Sequence, residues 1–241
     1  DLFLHLRMPL FTFLSGFVYA YRPVLPGQEA IFWRKKMQRL LIPLLAVSAI
    51  YFVLKWINPV TREDTAAAGL RIFIFPFSHL WFLQALILLF AATVVLERSR
   101  LLGTFNRFSL VFGLVLTLHL AIEPPPGLLF SAGDALYLAP FFLAGLAANR
   151  YRDELRSRPA QALWIALFAF AFSAYVVSWL LGQAPDDRGT LWGTTIGLTG
   201  CMTLLSLMPS VRPLAWVGSF SFSIYLYHVI FDAAVRLGLD A

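Results

Sequence analysis

Cysteine is almost missing: Cys201 is the one example in 241 residues. It sits inside an apolar run, can close no internal disulfide, and has no Cys or His neighbour with zinc-site spacing, so it reads as a small core residue. Charge is also scarce. Asp, Glu, Lys and Arg make up 13% of the chain, whereas a soluble domain carries about 25%. The chain does not open on a signal-peptide pattern of charged n-region and small-residue cleavage site. No internal repeat is visible, which disfavours transporter folds made of duplicated halves. The glycines of "GTTIGLTG", Gly193 to Gly200, make no phosphate loop, because no strand precedes them and no Lys follows. Small residues at helical spacing read instead as a helix-packing surface.

Apolar residues are abundant. They form 59% of the chain, with 23 Phe, and runs of membrane-spanning length recur throughout. Barrel strands would show short alternating segments, so an all-α polytopic transmembrane bundle is predicted. It forms a single integral-membrane domain over residues 1–241, with about eight spans: Leu2–Tyr21, Leu40–Ile57, Leu80–Leu96, Phe108–Ile122, Ala135–Asn149, Ala160–Leu181, Leu191–Met208 and Leu214–Ala233. All seven Trp fall near span ends, where aromatic belts sit. Eleven of the 14 Pro lie in loops or at span edges; Pro9, Pro43 and Pro140 do not.

Net charge is +6, but the cations sit in the short gaps between apolar runs, which argues against nucleic acid as a partner and for a bilayer. Alternating spans place 13 of the 19 basic residues on one side, among them Arg34, Lys35, Lys36, Arg39, Arg98, Arg150 and Arg158. That side is predicted to be cytoplasmic by the positive-inside rule. Nine of the 13 acidic residues fall on the other side. Asp1 then lies outside the cytoplasm with the first span running inward, and a preceding helix is the expected means of carrying that end across.

Four stretches offer chemistry. In "HLRMPLFTFLSGFVYAYRP" Arg7 lies inside an apolar run. Its guanidinium either snorkels to the interface or lines a polar cavity, which Pro9 would help to open by freeing backbone groups. Ser15-Gly16 offers a notch for close helix contact. In "FWRKKMQRLLIP" the cations Arg34, Lys36 and Arg39 either anchor topology or clamp phosphates of a cytosolic donor. In "FSHLWFLQALILL" His79 and Trp81 lie at the outer mouth, where a ring can stack on a sugar and an imidazole can bond a hydroxyl; Gln84, a turn deeper, needs a partner. In "SFSFSIYLYHVIFD" Ser221, Tyr225, His228 and Asp232 share a helix face, and Asp232 is placed to orient His228. His119 reads as interfacial.

The pieces "RMPLFTFLSGF", "KKMQRLLIP", "SHLWFLQALI", "APFFLAGLAANR" and "FSFSIYLYH", in that order on successive spans, resemble the acyltransferase 3 family of polytopic membrane O-acyltransferases. The resemblance implies a ten-helix core, of which this chain carries about eight, in a bacterial inner membrane. It implies an enzyme moving an acyl group, acetyl first among them, from cytosolic acyl-CoA to a hydroxyl of a cell-surface or exported carbohydrate. Acyl-CoA is a co-substrate, and no bound cofactor or metal is implied. The family's Arg-x-x-Arg pair maps onto Lys36 and Arg39, with Lys in place of one Arg. Its principal catalytic His is expected on a helix preceding Asp1, leaving His228 as the candidate within this chain. Arg7, His79, Trp81, Tyr225 and Asp232 would line the acceptor path. Two other readings are a transporter or flippase of a lipid-linked sugar and a non-catalytic membrane scaffold.

Overall fold

The computed structural model describes residues 4–25, 27–57, 75, 80–125, 127–183, 189–207, 216, 220 and 223–227, with residues 4, 5, 51 and 54–57 described by backbone alone. Every regular element among them is helical: α1 (Leu4–Tyr21), α2 (Glu29–Ile57), α3 (Trp81–Arg98), α4 (Phe105–Ala121), α5 (Ala132–Arg150, entered through a 3-10 turn at Leu129–Ser131), the single turn α6 (Arg152–Leu155), α7 (Arg158–Leu180) and α8 (Leu191–Leu207). Three segments, Trp81–Arg98, Leu129–Arg150 and Arg158–Leu180, are long and apolar enough to cross a membrane; α4 and α8 are apolar but shorter. The predicted span Leu214–Ala233 lies largely outside the described residues.

The predicted segments and the helices agree closely, with one difference of extent. Helix α2 begins at Glu29, well before the predicted span at Leu40. Its first turns carry Arg34, Lys35, Lys36, Gln38 and Arg39, residues with good helix propensity that an apolar-run criterion passes over. Pro9, Pro43 and Pro140 lie inside α1, α2 and α5 as expected. Pro159 opens α7, where its missing N–H is harmless.

Helix α5 is the hub. It packs against α1, α3, α4 and α8, while α7 reaches the bundle chiefly through α8. Leu138, Phe141, Phe142 and Leu146 of α5 are fully buried. By contrast α7 shows Leu163, Ile165, Phe170, Val177 and Leu180 to the outside. An apolar exterior of this kind suits lipid as the surrounding solvent.

The tightest contact is between α1 and α5, which run parallel. A Cβ on Gly16 would lie 2.0 Å from the Phe142 carbonyl oxygen, and one on Gly145 would lie 1.9 Å from that of Phe13. Two glycines thus let the backbones touch at their crossing, as the small notch at Ser15-Gly16 foreshadows. One turn further on, the Asn149 Nδ2 donates to the Phe17 carbonyl at 3.0 Å. Arg150 then closes the end of the bundle. It donates to Glu97 Oε1 of α3 at 2.6 Å and to the Leu102 carbonyl at 2.9 Å, which also accepts from the Tyr151 hydroxyl at 2.8 Å. Arg98 and Glu29 pair more loosely at 4.0 Å. The start of α2 and the ends of α3 and α5 therefore meet at one end, hereafter the basic end.

Gly16→Ala or Gly145→Ala should cost about 3 kcal/mol, the upper part of the overpacking range, because backbone cannot rotate away as a side chain can. Gly113 of α4, where an added Cβ meets nothing within 4 Å, is the control: Gly113→Ala should stabilise by about 0.4–1 kcal/mol. Thermal unfolding of the three variants in detergent measures both effects.

Candidate functional site

At the end of the bundle opposite the basic end lies a cavity of about 360 Å³. Helix α3 supplies Trp81, α4 supplies His119, the following connector supplies Glu123 and Pro124, and α5 supplies Asp134 and Tyr137. The connector is held stiff by its prolines. Pro124 packs against Gly133, where a Cβ would meet the proline ring at 2.9 Å. The lining is an aromatic face, two carboxylates and an imidazole. That set suits a neutral polyhydroxyl molecule, whose hydroxyls donate to carboxylates and whose apolar face lies on a ring. It repels a phosphate-bearing one.

His119 is buried, only 5% exposed. Its Nε2 shares a hydrogen bond with Thr194 Oγ1 of α8 at 2.7 Å, and its ring lies against Tyr137 with centroids 5.7 Å apart. This differs from the interfacial position expected of it. The sequence places His119 near a helix end, but the partner that encloses it is 75 residues away, so no local pattern announces the pair. Asp134 and Glu123 were likewise visible only as acidic residues on the outer side.

The turn that leads into α5 is strained. Phe130 and Ser131 both adopt left-handed backbone, with φ of 52° and 54°, which costs non-glycine residues about 1–3 kcal/mol each. The strain is held by Gln84, fully buried in α3. Ser131 Oγ donates to Gln84 Oε1 at 2.8 Å, and Gln84 Nε2 donates to the Phe75 carbonyl at 3.4 Å. The partner that Gln84 requires is thus the turn that starts α5.

Of the residues singled out in the sequence, Trp81 lines this cavity. Tyr225 is half-buried, with its ring 5.4 Å from Phe82 of α3, so it joins the same helix one position away. Arg7 is exposed on α1, on the stripe that also bears Leu14, Val18 and Tyr21, and does not line the cavity. At the basic end, Lys36 is half-buried with Nζ 3.7 Å from the Phe90 ring centroid and 5.6 Å from that of Phe32. The aromatic faces hold its charge. Arg34 and Arg39 are exposed. His79, His228 and Asp232 lie outside the described residues. Cys201 is a free, fully buried core residue of α8. Among the described residues no group of three His, Cys, Asp or Glu could hold a metal ion.

A family model described as an acyltransferase domain, acyltransferase 3, matches residues 2–241. The chain belongs to the acyltransferase 3 family. With its apolar helices, membership makes it an integral membrane protein and an acyltransferase. No curated protein and no solved structure matches the chain.

Thr194→Val removes the partner of a buried imidazole while keeping shape. It should lower stability by about 1–3 kcal/mol, the cost of a buried polar group left unpaired, while Thr194→Ser should stay near the parent. Melting temperatures of the two variants, compared side by side, read the difference.

Proposed function

We propose that this acyltransferase transfers an acyl group, acetyl in the simplest case, from cytosolic acyl-CoA to a hydroxyl of an extracytoplasmic carbohydrate, as a multi-pass protein of a bacterial inner membrane. The observation that carries the reading is the separation of charge between the two ends of the bundle. Lys36 and Arg39, the positions matching the family's paired arginines, stand at the basic end, where they suit the donor's phosphates. The Trp81–Glu123–Asp134 cavity stands at the other, where its carboxylates suit a sugar and disfavour a phosphate.

The chemistry is attack of a sugar hydroxyl oxygen on the thioester carbonyl carbon. A base takes the hydroxyl proton, the C–O bond forms, and the C–S bond breaks to release the CoA thiolate. From the family resemblance the principal base is an imidazole, and His228 is the candidate inside this chain. His119 adds a second imidazole, one that touches the acceptor cavity. The donor clamp and the cavity are separated by the run of α3 from Phe90, over which Lys36 lies, to Trp81, about 13 Å at 1.5 Å per residue. Acyl groups must cover that distance by way of the bundle, so donor and acceptor defects should be separable.

Lys36→Ala with Arg39→Ala in the full-length protein should raise the KM for acyl-CoA about tenfold or more, as loss of two phosphate contacts implies, and leave the acceptor KM unchanged. Asp134→Asn with Trp81→Ala should do the reverse. Radiolabelled acetyl transfer to a membrane-associated glycan measures both. Donor affinity unaltered by the first pair would reduce Lys36 and Arg39 to topological anchors.

Arg7 is proposed to serve the acceptor path by turning its guanidinium toward the polar end of the bundle. Arg7→Leu should then fold yet fail to acylate, and Arg7→Lys should lose much of the activity, since a point charge does not replace a planar fork. Full activity of the leucine variant in the same transfer assay would leave Arg7 as a snorkelling residue.

A further inference from the structure

Two further cavities lie at the basic end, away from the Trp81–Asp134 site. Helices α4 and α8 are joined at the far end by the His119–Thr194 bond. Toward the basic end they stand on opposite sides of an apolar slot of about 210 Å³. Phe108 and Phe112 of α4 form one wall, Leu198 and Met202 of α8 the other, and Ala144 and Ala147 of α5 the small-residue floor. The slot ends at Leu155 and Trp164, whose indole Nε1 donates to the Leu155 carbonyl at 3.0 Å.

The next residue along the chain begins a different environment. Arg156 lines a polar cavity of about 350 Å³ together with Arg152, Asp153, Ser157 and Gln161. The Arg156 Nε is buried and has no hydrogen-bond partner. A buried guanidinium N–H without an acceptor is costly, and an anion is the group that satisfies it best. Gln161 Nε2 is already committed to the Arg156 carbonyl at 2.9 Å. Asp153 opposes one of the two cations, so the cavity has a net positive charge of one, and the exposed Glu154 and Arg158 beside it cancel.

We propose that these two cavities are one site for an anionic phospholipid of the leaflet at the basic end. The phosphodiester sits against the guanidinium groups of Arg152 and Arg156. One acyl chain lies in the slot between α4 and α8. Three features select this occupant. The cavities adjoin at consecutive residues, Leu155 and Arg156, which matches a molecule whose head and tail are joined. The charge of the polar part is of the opposite sign to a lipid phosphate. Trp164 marks the junction, and its ring has an apolar body and a polar N–H, as suits the headgroup boundary.

The test uses native mass spectrometry of the full-length protein in detergent, with phosphatidylglycerol and phosphatidylcholine as probes. One net positive charge near an anionic head should give a preference for phosphatidylglycerol of about fivefold. Arg152→Ala with Arg156→Ala should reduce that preference to about twofold or less, with the melting temperature retained. Ser109→Trp, which fills the slot from an exposed position on its wall, should weaken retention of both lipids. An undiminished phosphatidylglycerol preference in the double arginine variant overturns the proposal. So does tighter binding of palmitoyl-CoA than of phosphatidylglycerol that the same two substitutions abolish, because the slot would then belong to the acyl donor. Loss of the lipid preference with the donor KM unchanged supports a lipid site separate from catalysis.

Discussion

The contact on which the bundle depends is the crossing of α1 and α5, where Gly16 meets the Phe142 carbonyl and Gly145 meets that of Phe13. Inside a bilayer apolar side chains gain little by leaving lipid for protein, so helix association rests on close van der Waals packing and interhelical hydrogen bonds. Backbone-to-backbone approach gives the most contact per residue. It fixes the axis of α5, and α5 in turn carries Asp134 and Tyr137 at one end and Asn149 and Arg150 at the other. A hub helix set by two glycines therefore determines the shape of both ends of the molecule.

The two ends are finished by different chemistry. At the basic end, Arg150 is held by Glu97 and by the Leu102 carbonyl, an ion pair with two further hydrogen bonds around it, including that from Tyr151. Arg150, Glu97 and Tyr151 each have a partner, which is the condition for tolerating partly buried charge. At the opposite end, strain at Phe130 and Ser131 is accepted so that α5 can start beneath a polar cavity, and Gln84 supplies the bond that keeps the turn in place. Strained backbone beside a polar pocket is the pattern of a site shaped for binding rather than for stability.

His119 illustrates how the cavity arises. It is a polar residue near the end of an otherwise apolar helix, and an exposed position would suit it equally well. Thr194 makes the difference, because its hydroxyl satisfies the ring as α8 closes over it. The same bond pins α4 to α8 at one end, leaving the apolar slot between them at the other. One hydrogen bond thus borders the polar cavity and pins two helices whose other ends flank the apolar slot.

Hydropathy and spacing alone determined the helical membrane class, the approximate extents of α1, α3, α4, α5, α7 and α8, the internal positions of Pro9, Pro43 and Pro140, the packing role of Gly16 and of the Gly193–Gly200 stretch, and the core position of Cys201. The ordered pieces along the chain determined the family. These are properties of short segments, and a segment carries its own hydrophobicity and caps wherever it packs. Tertiary structure decided the rest: that α5 is the hub, that Gln84 pairs with Ser131, that His119 is enclosed by Thr194, and that Lys36 lies over Phe90. The reason is physical. In a soluble protein the apolar stripe of a helix reveals its inward face. In a membrane both the lipid-facing and the protein-facing sides are apolar, so the sequence leaves the rotation of each helix, and with it every long-range pairing, to be set by packing.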